Sequence, residues 1–546
     1  MPHSRLNART SRPAERRIAI TPRFGACLIS VYGLCGPAAA QNTPPLDAAD
    51  AVGAWMTARA AIDHADARDI QDVPGLEGVH LVLRHDGRPV ATSSQLRAEG
   101  STNPLADAVA SLLDQARRDS AVQDLPPALF HAGLASTTLE LDAAGPLMPL
   151  QVRDLHRAGH DLDPATSGLA LRVGDAWTIR FPSALRMSGA AATVDMIGEL
   201  AAVAGLTPAE LTDARQRGQA TVYTFQTVDL VQLPGELGPR HFQRGVGQRR
   251  WTDEPRPAVA ALTLAGRHLV DRLWATPDEG AWVLGGTYHP NDDRWRPMDA
   301  PPRERAFAAV ALQRLSDIPA LPDPLRRQAA DRADGLASAL PSDDPVIEAA
   351  KVAMGRSADT RLVRDLLQDA SAPLVERAIA AWALASAGQQ PEEVAAFLDQ
   401  VALLPPSTTL QGLPWIGWTD SLISGATTEP RRMEDLWRGL ERVALSDLSP
   451  EKITADVLPV AAFLASETQA AGGQSTPTLR VMQLLLVDAG EAAYYRSPER
   501  MAGGIKLAAW DERMPLWSQT MGILALCELA EADRVADQTD RQESST

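Results

Sequence analysis

The chain is short of cysteine and lysine, and each shortage closes off a class of chemistry. Of its three cysteines, Cys27 and Cys35 fall in the first forty residues and only Cys527 remains beyond them. One thiol forms no internal disulfide, and there is no cysteine cluster for zinc or iron–sulfur. Cys527 shares a helical face with Leu516, Thr520, Ile523 and Ala530, which predicts a buried structural thiol. The only lysines are Lys351, Lys452 and Lys506, so lysine-based covalent catalysis has few candidates. No phosphate-cradling glycine loop with its lysine, no dinucleotide fingerprint and no nucleophile elbow is present. No metal and no cofactor is expected. Positive charge is scarce as well: the formal net charge is −17, which disfavours nucleic acid and anionic lipid as partners.

The start of the chain is locally basic. Arg5, Arg9, Arg12, Arg16, Arg17 and Arg23 stand against Glu15 alone, and Phe24 to Ala40 carries no charge. That stretch ends in Ala38-Ala39-Ala40. A basic region, a short apolar region and a small-residue cleavage site predict a signal peptide over residues 1–40. The apolar run is too short for a membrane span, so no integral span is expected after cleavage. Removing six arginines and one glutamate takes the charge from −17 to −22. The expected location is periplasmic or secreted.

Hydrophobic periodicity divides the rest. Residues 47–67 predict a helix, with Val52, Trp55, Met56 and Ile62 on one face. Val79, Leu81 and Leu83 alternate as a strand, and His85-Asp86-Gly87-Arg88 supplies a turn. Residues 104–117 are helical, and Leu139-Glu140-Leu141 is a short strand. Leu169, Leu171 and Val173, then Trp177, Ile179 and Phe181, alternate about Gly174-Asp175 as a hairpin. A helix over 191–204 and a strand at 222–225 complete a mainly antiparallel α+β domain over 41–232. Residues 233–257, rich in Gly, Pro, Arg and Gln, read as a linker or crossing segment. From 258 to 535 the pattern is all-α. A stripe at Phe307, Val310, Ala311, Leu315 and Ile318 is followed by one at Leu374, Ala378, Ile379, Trp382 and Ala383. Further helices fit 358–369, 391–402, 430–445, 450–467, 477–487 and 516–532. Such helical hairpins stack as a solenoid or close into an α/α toroid. Residues 536–546 read as a polar tail.

The order of segments in the first half resembles the AMMECR family, named for a chromosomal region tied to Alport syndrome with midface hypoplasia and elliptocytosis. The resemblance covers roughly residues 48 to 230. It is carried by Gly78-Val79-His80-Leu81-Val82-Leu83, the turn at Asp86-Gly87, Asn103-Pro104-Leu105 and Thr138-Leu139-Glu140-Leu141. It continues in Ser167-Gly168-Leu169-Ala170-Leu171, Ala204-Gly205-Leu206 and Val222-Tyr223-Thr224-Phe225. The family's Arg-Gly-Cys-Ile-Gly stretch is absent; Arg88-Pro89-Val90-Ala91-Thr92-Ser93-Ser94 stands in its place. The resemblance implies the α+β fold and no chemistry. The second half is similar to α/α-toroid and helical-repeat proteins in two segments. One is Leu284-Gly285-Gly286-Thr287-Tyr288-His289-Pro290, and the other is Gly503-Gly504-Ile505-Lys506 through Trp510-Asp511. Arg361 to Gly388 also fits one HEAT-like hairpin.

Three clusters invite a chemical reading. His156 and His160, with Asp161 and Asp163, have metal-like spacing, but Gly159 and Pro164 break the helix that would align them, so solvated loop residues are the simpler account. Ser449-Pro450-Glu451-Lys452 matches a serine–lysine spacing, yet Ser-Pro at a helix start is ordinary capping. The third cluster joins two loops: Tyr288, His289, Asp292, Asp293 and Trp295 in one, and Trp510, Asp511, Glu512 and Trp517 in the other. Loops between helical hairpins gather at one end of a toroid, so the two could share a rim. Aromatic platforms with carboxylates suit sugar binding and general acid–base work; the plainer account has the tryptophans in the core and the acids solvated. No catalytic constellation is complete. The expectation is therefore a non-catalytic binding or scaffolding protein of the cell envelope, with an envelope protein or polysaccharide as partner. The alternative is a polysaccharide-active hydrolase or lyase with its cleft in the helical half.

Overall fold

The computed structural model describes residues 46–118, 127–150, 162, 165–188, 193–242, 256–275, 282–426, 453–470 and 476–543. The expected signal peptide, the histidine cluster at 156–163 and the Ser449–Lys452 motif lie outside these residues, as does the helix expected over 430–445.

The first region is a mostly antiparallel sheet with helices. Helix α1 (Ala48–Asp63) starts where the Asp47 side chain accepts from the Ala49 N–H, an ordinary N-cap. Its Trp55 is fully buried and donates its indole N–H to the Leu139 carbonyl at 3.2 Å. Strands β1 (Gly78–His85) and β2 (Arg88–Leu96) form a hairpin. Its turn residues Asp86 and Gly87 both have positive φ, 48° and 70°, as a tight two-residue turn requires. The remaining strands are β3 (Thr138–Ala144), β4 (Met148–Pro149), β5 (Ser167–Val173), β6 (Ala176–Arg180), β7 (Ala220–Val231) and β8 (Arg240–His241). They run in the order β2-β1-β3-β7-β5-β6, with β4 and β8 also paired to β7.

The twelve-residue β7 is the spine: Ala220 to Gln226 pairs with β5, and Thr227 to Val231 pairs with β3. Alternation sends Val79, Leu81, Leu83, Leu139, Leu141 and Leu230 to one face. There they pack with α1 and the helix Pro104–Arg118 in an apolar core. A second core sets Leu169, Leu171 and Val222 against Ile197, Leu200 and Leu211 from two helices.

One expectation changes here. Strand β2 was not foreseen, because Arg88, Pro89 and a run of small polar residues hide it. Within the segment read as a linker or crossing segment from 233, β8 adds to β7, and the Phe242 N–H donates to the Asp229 carbonyl.

The second region is predominantly helical, from Ala258–Asp271 to Leu516–Glu543. One continuous apolar core runs from Ala258 to Ala530. The last helix packs on Ala258–Asp271, Pro302–Asp317 and Leu458–Ala470. Cys527 is buried within that helix, and burial pushes its thiol pKa up. The all-α expectation is corrected by two small hairpins, β9 (Leu273–Ala275) with β10 (Trp282–Leu284) and β11 (Thr287–His289) with β12 (Arg294–Arg296). Each of the four strands carries one aromatic residue, and Val283 and Thr287 are β-branched, which favours extended pairing. The tail expected from 536 is helical as far as Glu543, because Ala, Arg, Gln and Glu continue the helix without a breaker. Among the described residues no helix is long and apolar enough to cross a membrane.

Candidate functional site

The two regions meet along the other face of the sheet. On β1, β3 and β7 that face carries His80, Arg84, Glu140, Asp142 and Asp229, all five buried, among the apolar Val82 and Val231. His80 pairs in register with Asp142, and Asp142 with Asp229. Ser94 on β2 pairs with His80, so one cross-strand row reads Ser94, His80, Asp142, Asp229. Residues opposite one another on adjacent strands share a face and touch. The Ser94 hydroxyl lies 2.7 Å from His80 Nδ1, and the His80 ring stacks on Phe181 at 5.6 Å. Asp142 Oδ2 accepts from the Ser183 N–H at 3.0 Å and from its hydroxyl at 2.5 Å.

The next row ties the sheet to the helical region. Glu140 accepts a short hydrogen bond from the Tyr494 hydroxyl and one at 3.4 Å from Arg84. Arg84 Nε donates to the same tyrosine oxygen at 2.5 Å, and its guanidinium lies 4.3 Å over the Tyr494 ring. Another Arg84 nitrogen reaches the Asn291 side chain at 3.3 Å. Burial works against the Arg84 charge, but Tyr494, Glu140 and Glu512 outweigh it and push its pKa up. Behind Tyr494 lies a second buried ion pair, Lys506 to Glu491 at 2.7 Å. Burial raises the Glu491 carboxyl to about 7, with Lys506 opposing. Gly87 sits at the point of closest approach: a Cβ there would fall 2.3 Å from the Arg496 nitrogen and the Tyr495 carbonyl carbon. Only glycine fits both that contact and the positive φ.

The two loops singled out in the sequence are joined. Tyr288 and Met514 exchange backbone hydrogen bonds at 3.1 and 3.0 Å, and the Arg272 guanidinium bonds the carbonyls of Gly285 and Met514. Their side chains, however, mostly point inward. Tyr288 is fully buried, in a cluster that includes Val231 and Phe242 of the first region, and its hydroxyl donates to Asp293 at 2.7 Å. Trp510 is buried against Ala165 of the first region. Trp295 is half-buried, packed on Tyr288 with Arg272 4.6 Å over its ring. Trp517 packs on the helical core.

The acids in these loops are engaged as well. Asp511 is buried and doubly bonded by Arg513 at 3.0 and 2.5 Å. Asp293 accepts from Arg500 at 3.0 Å; burial opposes its ionisation, but the hydrogen bonds from Tyr288 and Ser497 and the Arg500 charge bring its pKa down. Asp292 is exposed and paired with Arg296 at 2.5 Å. His289 is half-buried, and burial together with Arg296 and Arg513 lowers its pKa. The rim expected for a sugar site is thus where the first region docks.

Sequence reasoning missed the buried polar row altogether. Glu140 and Asp142 alternate with Leu139 and Leu141, a pattern that ordinarily marks a solvated face; here the helical region covers it. One oxygen from each of Glu140, Asp142 and Asp229 lies within 4.8 Å of the others. Among the described residues, these three could hold a metal ion.

No family model matches the chain, and no curated protein matches it. Among solved structures it is similar to the uncharacterized protein PH0010 from Pyrococcus horikoshii. That likeness has 16% identity and a TM-score of 0.26, over 36% of this chain and 98% of that one, and at this level it carries no argument about fold or activity.

Proposed function

We propose that this chain is an exported, non-catalytic binding or scaffolding protein of the cell envelope, periplasmic or secreted. In this reading an AMMECR-like first region is fixed on the rim of a closed α/α toroid. The observation that carries it is the docking itself. Tyr288 and Trp510, the residues best suited to stack on a sugar, are packed against Val231, Phe242 and Ala165 of the first region. A rim used to hold a second domain presents outer surfaces rather than a cleft. Ring closure is supported by the return of Leu516–Glu543 to Ala258–Asp271. The partner is an envelope protein or polysaccharide; an acidic body disfavours nucleic acid.

The second reading, a polysaccharide-active hydrolase or lyase, keeps one supporting observation. His289 is part-exposed, and the charges of Asp292 and Asp511 act on it. A glycan-array and polysaccharide-degradation screen on the mature chain from Gln41 separates the two. Binding without turnover, or neither, is expected; cleavage of any polysaccharide, lost in His289→Ala, would replace the first reading with the second. Osmotic-shock fractionation tests export: a full-length, uncleaved chain retained inside the cell would overturn it.

A further inference from the structure

We propose that Glu140, Asp142 and Asp229 hold one hard divalent cation, of the calcium, manganese or magnesium kind, between the sheet and the helical region. The three residues come from two adjacent strands, and Asp142 and Asp229 are direct cross-strand partners. Each offers one carboxylate oxygen within 4.8 Å of the others. Two oxygens bound at about 2.4 Å to a common calcium ion are at most about 4.8 Å apart, so the spacing lies within the reach of one shared ion of that size. All three are buried, at 1%, 0% and 6% exposure. Carboxylates brought this close inside a protein repel one another, and something of opposite charge stabilises the arrangement.

A second observation points to a ligand rather than to a closed network. Asp142 is fully buried. Its Oδ2 is held by the Ser183 N–H and hydroxyl, yet its Oδ1 has no hydrogen-bond partner among the described residues. A buried, ionisable oxygen left this way is costly unless a cation or a proton meets it. The surrounding bonds are of the kind that orient metal ligands. Ser183 fixes the Asp142 carboxylate from one side, and Arg84 with Tyr494 fixes Glu140 Oε2. Such outer bonds set the direction of a ligand oxygen. The donor set is all oxygen, which selects hard cations over zinc or copper. Because Glu140 is also bonded to Tyr494, a bound ion would brace the contact between the two regions.

The test uses the whole mature chain, unfolded in urea, stripped with chelator and refolded with Mn²⁺ or with none, then desalted. Metal analysis is expected to find Mn²⁺ retained in stoichiometric amount, and Ca²⁺ added in excess to displace it. The thermal midpoint should rise with Mn²⁺ and fall again on chelation. Asp142→Asn and Asp229→Asn should each lose the retained metal and the metal-dependent part of the midpoint. No retained Mn²⁺ in the wild-type chain would overturn the proposal, as would the same retention in both variants. Should the variants fail to fold, the wild-type measurement decides alone: a midpoint indifferent to Mn²⁺ and to chelator overturns it.

Discussion

The two faces of the β1–β3–β7 sheet are both buried, but one is wholly apolar and the other sets charged groups among Val82 and Val231. On one, Leu81, Leu83, Leu139 and Leu141 meet α1 and the helix Pro104–Arg118. On the other, His80, Arg84, Glu140, Asp142 and Asp229 meet the helical region and the segment at Phe181 to Ser183. The apolar face draws its stability from area removed from water and is tolerant of direction. The polar face depends on each group finding its partner, because an unmatched charge inside costs far more than a lost methylene. The difference assigns roles: the leucines hold the first region together, and the charged face specifies how that region sits on the second.

Breaking the charged face by one member should have the largest effect. Arg84→Met leaves Glu140 buried beside Tyr494 without its cation, and a loss of about 3–5 kcal/mol is expected in urea unfolding. Adding Glu140→Gln should recover most of it, since a neutral pair needs no compensation. Leu81→Ala on the opposite face should cost about 2–5 kcal/mol through the cavity it leaves, and no second charge change should rescue it. Equal rescue of both single variants by Glu140→Gln would erase the distinction between the faces.

The ion pair behind Tyr494 sharpens the comparison through pH. Burial, opposed by Lys506 and assisted by Glu512 and Asp488, raises Glu491 from 4.5 to about 7. The folded chain therefore holds this proton in a range where the unfolded chain has lost it. The contribution is full below about pH 4.5 and is lost as pH rises through about 7. It amounts to an order of 3 kcal/mol at about 1.4 kcal/mol per unit. Unfolding free energy measured from pH 4 to 8 should show this fall in the wild-type chain, and Glu491→Gln should flatten it. An unchanged slope in the variant would place the proton elsewhere.

Tyr494→Phe removes one hydroxyl from Glu140 and Arg84 while keeping the ring under the guanidinium. The expected loss is about 1–3 kcal/mol, smaller than that of Arg84→Met because the ion pair survives. A loss as large as that of Arg84→Met would mean that the hydroxyl, not the cation, carries the contact.

The legibility of these features in the sequence follows from range. The 167–180 hairpin and the helices at 48–63, 374–386 and 391–402 were readable because their periodicity, caps and turns are local; Gly174 and Gly388 do take positive φ. The helices Asp323–Ala339 and Trp415–Ala426 were not anticipated. The first shows only small or widely spaced apolar residues, and in the second Trp415, Ile416 and Trp418 leave almost no polar side to mark a face. The charged row was illegible for a different reason. Its members lie on separate strands, from His80 to Asp229, and only pairing brings them together. That they are covered rather than solvated depends on distant segments, Phe181 to Ser183 over His80 and Asp142 and Tyr494 over Glu140 and Arg84. The two loops are joined through Tyr288 and Met514, but the first region that packs on them left no local trace in the sequence.

The smallest effect separates two neighbours that the sequence treats alike. Asp292 and Asp293 stand side by side in the loop before β12. Asp292 is exposed and pairs with an exposed Arg296, an arrangement that contributes about 0.5 kcal/mol or less. Asp293 is 17% exposed at its side chain, accepts from the buried Tyr288 hydroxyl and from Arg500, and holds a φ of 50°. Asn tolerates that backbone angle, so Asp293→Asn tests the hydrogen bonds rather than the turn. Asp292→Asn should leave the thermal midpoint unchanged within error. Asp293→Asn should lower it, through a loss of about 1–2 kcal/mol of unfolding free energy, since a charged acceptor is worth more than a neutral one to Tyr288 and Arg500. Were the two variants indistinguishable, the Tyr288–Asp293 bond would contribute nothing to fixing the rim, and the contrast between the covered and the solvated parts of this loop would fail.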